Sequence, residues 1–185
     1  MALLHQATVT PSKLELLRDW LPRQPWFLGE AGAEITQVAA FRFDDPDGEV
    51  GIETILAAGP DGAVMQIPVT YRGAPLEGAE HRLIGTMEHS VLGPRWVYDG
   101  LGDPVYLAAV THAVRTGGHE AELKIEIDGE MVTREPTARV QGSGAAGTGV
   151  EVVRYPVAGP VPHGAVLVGT WGEHSAPVLL VTLAD

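Results

Sequence analysis

The chain has 185 residues, 45% of them hydrophobic, enough for one generous domain or two small ones packed together. A formal net charge of −12, with 12 Lys and Arg against 24 Asp and Glu, argues against nucleic acid as a partner, because phosphate contacts come from basic side chains. There is no cysteine for disulfides or thiolate metal sites, no basic start followed by an apolar run as in a secretory signal, and no stretch near the ~18 apolar residues of a membrane span, so a cytoplasmic protein without a membrane partner is expected.

In chain order, Thr10 and Pro11 predict a helix start, a capping hydroxyl followed by proline at the first helical position. Leu14, Leu17, Trp20 and Leu21 then follow helical spacing and Pro22 ends the run, so Trp20 is expected in the core. Ile35, Val38 and the Phe41-Arg42-Phe43 alternation predict a strand running into the Asp44-Asp45-Pro46-Asp47-Gly48 turn, with antiparallel partners at 50–58 and, after Gly59-Pro60-Asp61-Gly62, at 63–71. Two further strands are expected at 83–86 and 96–98. Asp103-Pro104 repeats the cap-plus-proline signal for a helix at 105–115, closed by Gly117-Gly118. Beyond it, 121–128 alternates as a half-buried strand that Asp128-Gly129 turns, and later strands are expected at 137–141, 150–155, 165–170 and 177–183. The elements predict an α+β fold, with a curved antiparallel sheet and two helices over residues 1–116 and a smaller, mostly antiparallel β subdomain over 117–185.

Leu21-Pro22-Arg23-Gln24 with Trp26 and Gly29, then Leu83-Ile84-Gly85-Thr86, then Trp96-Val97-Tyr98-Asp99-Gly100 and Asp103-Pro104 form a recognisable series. Over roughly residues 12–116 it resembles the N-terminal cap domain of the actinobacterial maltokinases. After residue 116 the match fades, and by its position and strand-rich texture the tail is assigned to the intermediate subdomain of those enzymes, which is similar to a kinase N-lobe. In such kinases the acidic base and the magnesium ligands sit in a separate helical lobe. No motif of that kind follows the tail before Asp185. The expectation is therefore a stand-alone cap with no catalytic residue and no cofactor, a non-catalytic accessory or binding protein of α-glucan or trehalose metabolism. Its implied partners are a maltokinase or trehalose synthase, or an α-glucan oligosaccharide. A homodimer is a further expectation, since a kinase N-lobe without its other lobe exposes an apolar face.

Two groups of residues suggest ligand binding. Gly142, Gly144 and Gly147 make a GxGxxG spacing between two predicted strands and suggest, as the alternative function, a nucleotide- or sugar-binding remnant with a glycine-rich loop at 142–149. Against it, 150–155 offers only Arg154 and 165–170 offers no Lys to meet phosphates, so a plain hairpin loop is favoured. Trp26, Phe27 and Trp96 are candidates for stacking on the C–H face of a sugar, with Trp26 expected to be the most exposed of the set.

Other chemistry finds little support. The histidines near Glu88 and Glu120 lack an HExxH spacing, so no metal site is expected. Ser90, Ser143 and Ser175 lack a nucleophile elbow, and abundant carboxylates alone do not specify a glycosidase pair.

Overall fold

The run Ile-Glu-Thr-Ile-Leu-Ala-Ala at 52–58 is apolar at both odd and even positions, the pattern of a strand covered on both faces. The computed structural model, which describes residues 2–4, 7–127, 130–172 and 174–184, places that run near one side of a curled six-stranded antiparallel sheet. A short strand β1 (Ala2–Leu4) stands apart from this sheet. The sheet contains β2 (Val9–Thr10), β3 (Thr36–Phe43), β4 (Gly51–Ala58), β5 (Val64–Arg72), β6 (Leu83–His89) and β7 (Gly93–Asp99), in the order β2-β6-β7-β5-β4-β3.

Helix α1 (Lys13–Trp20) covers one face. Ile55 and Ala57 of β4 and Met65, Ile67 and Val69 of β5 meet Leu17, Trp20 and Leu21 there. The opposite face takes helix α2 (Pro104–Thr116), whose Tyr106, Val110, Ala113 and Val114 pack against Phe41, Phe43, Ile52 and Leu56. The same core continues into the tail through Val140, Leu167, Leu180 and Val181, so α2 is shared between the large sheet and the tail. The tail holds β8 (Leu123–Ile127), β9 (Glu130–Arg134), β10 (Ala138–Gly142), β11 (Gly149–Val152), β12 (Val166–Trp171) and β13 (His174–Ala184). These form a four-stranded antiparallel sheet, β10-β12-β13-β11, and a three-stranded sheet, β1-β8-β9.

The α+β class and the curved sheet with two helices agree with the sequence reading, while several boundaries move. Thr10 does not cap α1, because its backbone pairs with Glu88 on β6. Ser12 is the cap instead: its hydroxyl accepts from Glu15 N–H at 3.3 Å while the Glu15 carboxylate accepts from Ser12 N–H at 2.7 Å. The β6–β7 hairpin runs to His89 and Gly93, longer than the two short strands expected. β1 pairs parallel with β8, Ala2 opposite Leu123, an association of segments far apart in sequence that no local pattern announces. The Asp128-Gly129 turn lies outside the described residues.

A buried charge cluster ties α1 to the large sheet. Glu53 Oε2 on β4 accepts from Lys13 Nζ at 2.6 Å, from the Tyr71 hydroxyl at 2.6 Å and from an Arg42 guanidinium nitrogen at 3.2 Å. Burial acts to raise the Glu53 carboxyl, but the Arg42 and Lys13 charges and these hydrogen bonds outweigh it and bring it down to about 2. A carboxyl depressed on folding contributes stability that is present above its unfolded pKa of ~4.3 and is lost as pH falls through the folded value. Stability is therefore expected to decline between about pH 5 and pH 2, with this group accounting for ~3 kcal/mol. Urea denaturation across that range is the check, and Glu53→Gln should flatten the decline while lowering stability at pH 7.

Candidate functional site

The segment after α1 cannot continue as a helix because Pro22 and Pro25 interrupt it, and it turns through a 3₁₀ segment, Leu21–Arg23, toward two aromatic residues. Trp26 is half-buried, not the exposed ring its place after two prolines suggested. Its edge contacts are Trp20, with ring centroids 5.9 Å apart, and Tyr155, at 6.5 Å. The Arg154 guanidinium stands over the ring, 4.3 Å from its centroid. Trp26 thus supports a wall from behind.

In front of it, Phe27, Leu28, Glu30, Pro60, Asp61 and Tyr155 line a groove of about 370 Å³. The Tyr155 hydroxyl accepts from Leu28 N–H at 2.9 Å and closes one side. Gly29 explains how Phe27 fits, because a Cβ there would lie 2.6 Å from the Phe27 ring. Asp61 Oδ1 accepts from Ala63 N–H at 3.0 Å, which fixes one carboxylate in the β4–β5 turn.

Tyr155 reaches the groove because the strand expected at 150–155 ends early, at Val152. Val153 N–H donates to Leu180 O, Gln66 N–H donates to Arg154 O at 2.8 Å, and the buried Gln66 amide donates to Val153 O and Leu180 O. The chain therefore leaves β13 and crosses onto β5. Arg154 then ion-pairs with Asp99, reaching both carboxylate oxygens at 3.2 Å, while Arg82 holds Asp99 from the other side at 3.2 Å. Arg154, weighed above as the lone candidate to meet phosphate, is committed to a buried carboxylate and a tryptophan face.

Trp96 lies half-buried on β7, opposite Arg72 and Thr86, and is not among the groove residues. The glycines of 142–149 have packing duties. Gly142 N–H donates to Gly118 O, Ser143 N–H to Val166 O, Gly144 N–H to Val114 O and Thr148 N–H to Ala184 O. Those amides face the fold and are not free to cradle a phosphate. Gly147 sits where a Cβ would press on Leu183 and Ala165, and Gly144 has φ +77°. Among the described residues no group of three or more His, Asp or Glu is placed to hold a metal ion, and no helix is long and apolar enough to cross a membrane.

The motif residues of the first half are mostly structural. Asp103 caps α2 through Val105 N–H at 2.9 Å, accepts from the Thr70 hydroxyl at 2.7 Å and takes a two-pronged Arg72 contact at 2.7 Å. Burial acts to raise its carboxyl, and these bonds hold it below the usual range. Gly85 lets α1 approach β6, with Leu16 2.7 Å from where its Cβ would be. Residues 20–103 match the maltokinase N-terminal cap domain. The match opens at Trp20 and closes on Asp103, so the cap domain supplies Trp26, Phe27 and Asp61, while Arg154 and Tyr155 come from the tail beyond it. No curated protein matches the chain.

Proposed function

We propose that this protein is a non-catalytic binding module of α-glucan or trehalose metabolism that holds an α-glucan oligosaccharide in the groove between Phe27 and Tyr155. The observation that carries the reading is the pairing of these two aromatic rings with two rim carboxylates, Glu30 and Asp61, in a space of about 370 Å³. A sugar presents C–H faces to aromatic rings and hydroxyls to carboxylates, and the volume falls within the ~300–1,000 Å³ of small-molecule sites. The maltokinase cap match supports the choice of sugar class. A binding role is favoured over catalysis because the buried acids Glu53, Asp99 and Asp103 are each held by cations of the fold and none lines the groove.

Calorimetric titration with maltose, trehalose and maltohexaose tests it. Heat of binding is expected with at least one of them, and Phe27→Ala and Tyr155→Ala are each expected to weaken it by ~0.5–1.5 kcal/mol, about 2- to 12-fold. Silence with all three sugars removes the reading. A second reading, docking to a maltokinase or trehalose synthase, is favoured by the exposure of Leu28 at the groove and of Val157 two residues past Tyr155, at 79% and 76%. Pull-down with either enzyme, lost in Leu28→Asp, is its test.

A further inference from the structure

The three-stranded sheet ends in β9, which pairs with β8 along one side and with no described strand along the other. All five residues of β9 are exposed, Met131 at 50% and Val132 at 43%. An edge that carries apolar side chains and a row of free backbone donors and acceptors is a template for another strand unless charge blunts it. β9 has a charge at each end, and they are of opposite sign: Glu130 and Arg134 sit symmetrically about Val132.

That symmetry decides which strand fits. Laid antiparallel against itself with Val132 facing Val132, β9 sets Glu130 opposite Arg134 twice and Met131 opposite Thr133 twice. Laid parallel and in register, it sets like charge on like charge. Cross-strand opposite charges stabilise an antiparallel pair and like charges oppose it, so the end charges select one arrangement. We propose that β9 is a dimerisation edge, pairing antiparallel with β9 of a second copy and merging two three-stranded sheets into one of six strands. The contact is isologous: it consumes the β9 edge of both copies, so association through it stops at two.

Light scattering after size-exclusion chromatography at low ionic strength tests this on the full chain. The wild type is expected to run as a dimer. Glu130→Lys places Lys opposite Arg134, and Arg134→Glu places Glu opposite Glu130; each is expected to raise the dissociation constant about tenfold or more. The double variant E130K/R134E restores both pairs and is expected to dimerise again. An equimolar mixture of the two single variants is expected to form a heterodimer, since every end pair is then of opposite charge. Circular dichroism matching the wild type separates these effects from loss of fold. A wild type that stays monomeric at millimolar concentration overturns the proposal, as does a dimer that neither single reversal weakens.

Discussion

Replacing Arg154 with methionine is expected to lower the stability of this protein by ~3 kcal/mol, the cost of removing one partner from a buried ion pair. Asp99 is wholly buried, and without Arg154 the cation that remains beside it among the described residues is Arg82, whose side chain is 41% exposed. The Trp26 ring loses the guanidinium over its face at the same time. Asp99→Asn alone leaves Arg154, itself 12% exposed, without its counter-charge. The double variant should therefore be less unstable than the sum of the two single losses, by at least ~1 kcal/mol, because residues in one ion-pair network do not act independently. Urea denaturation of the four proteins closes the cycle. A single Arg154→Met loss below ~1 kcal/mol, or strict additivity, would show that the tail is held to the sheet by other contacts. Because Arg154 precedes Tyr155, the same variant should also loosen the groove and weaken any sugar bound there.

Gly142→Ala is expected to be comparably severe. A Cβ at this position would fall inside contact of Ala113 O, 2.8 Å from Ala113 C and 2.9 Å from Val114 Cα. These are backbone atoms of α2, which cannot swing aside as a flexible side-chain end would, and α2 is the helix shared by both parts of the core. Overpacking of this kind costs ~1–3 kcal/mol, and a rigid neighbour puts the value near the upper end. Thermal unfolding is the check. A phosphate-binding loop would behave differently: the substitution would abolish stabilisation by ATP and magnesium and leave the unliganded protein nearly as stable. The inward-facing amides at 142, 143, 144 and 148 predict no ATP-dependent shift in the wild type.

Much of the fold was legible because the large sheet and both helices are written in local patterns. The Asp103-Pro104 cap, the alternation of Phe41 and Phe43, and the two-faced apolar run of β4 each answer to interactions within a few residues or across one hairpin. The candidate site was half legible for the same reason. Phe27 stood out by composition and position. Tyr155 did not, because what brings it to the groove is the early end of β11 and the crossing onto β5, set by Gln66, a single polar residue that is completely buried. Likewise Arg154 stood in the sequence only as the lone base of 150–155, and nothing local announced its partner Asp99, 55 positions away in the chain. The glycine spacing by itself could not separate a plain hairpin loop from a phosphate cradle: close helix packing and phosphate binding both demand glycine, and only the hydrogen-bond directions tell them apart.

Whether a sugar occupies the groove between Phe27 and Tyr155 is read residue by residue from amide chemical shifts of the labelled protein titrated with maltohexaose. Saturable shifts are expected at residues 27–30 and 59–63, led by Leu28, whose N–H donates to the Tyr155 hydroxyl, with the 142–149 amides unmoved. Shifts that gather elsewhere, or a spectrum unchanged at millimolar sugar, would contradict a sugar in that groove.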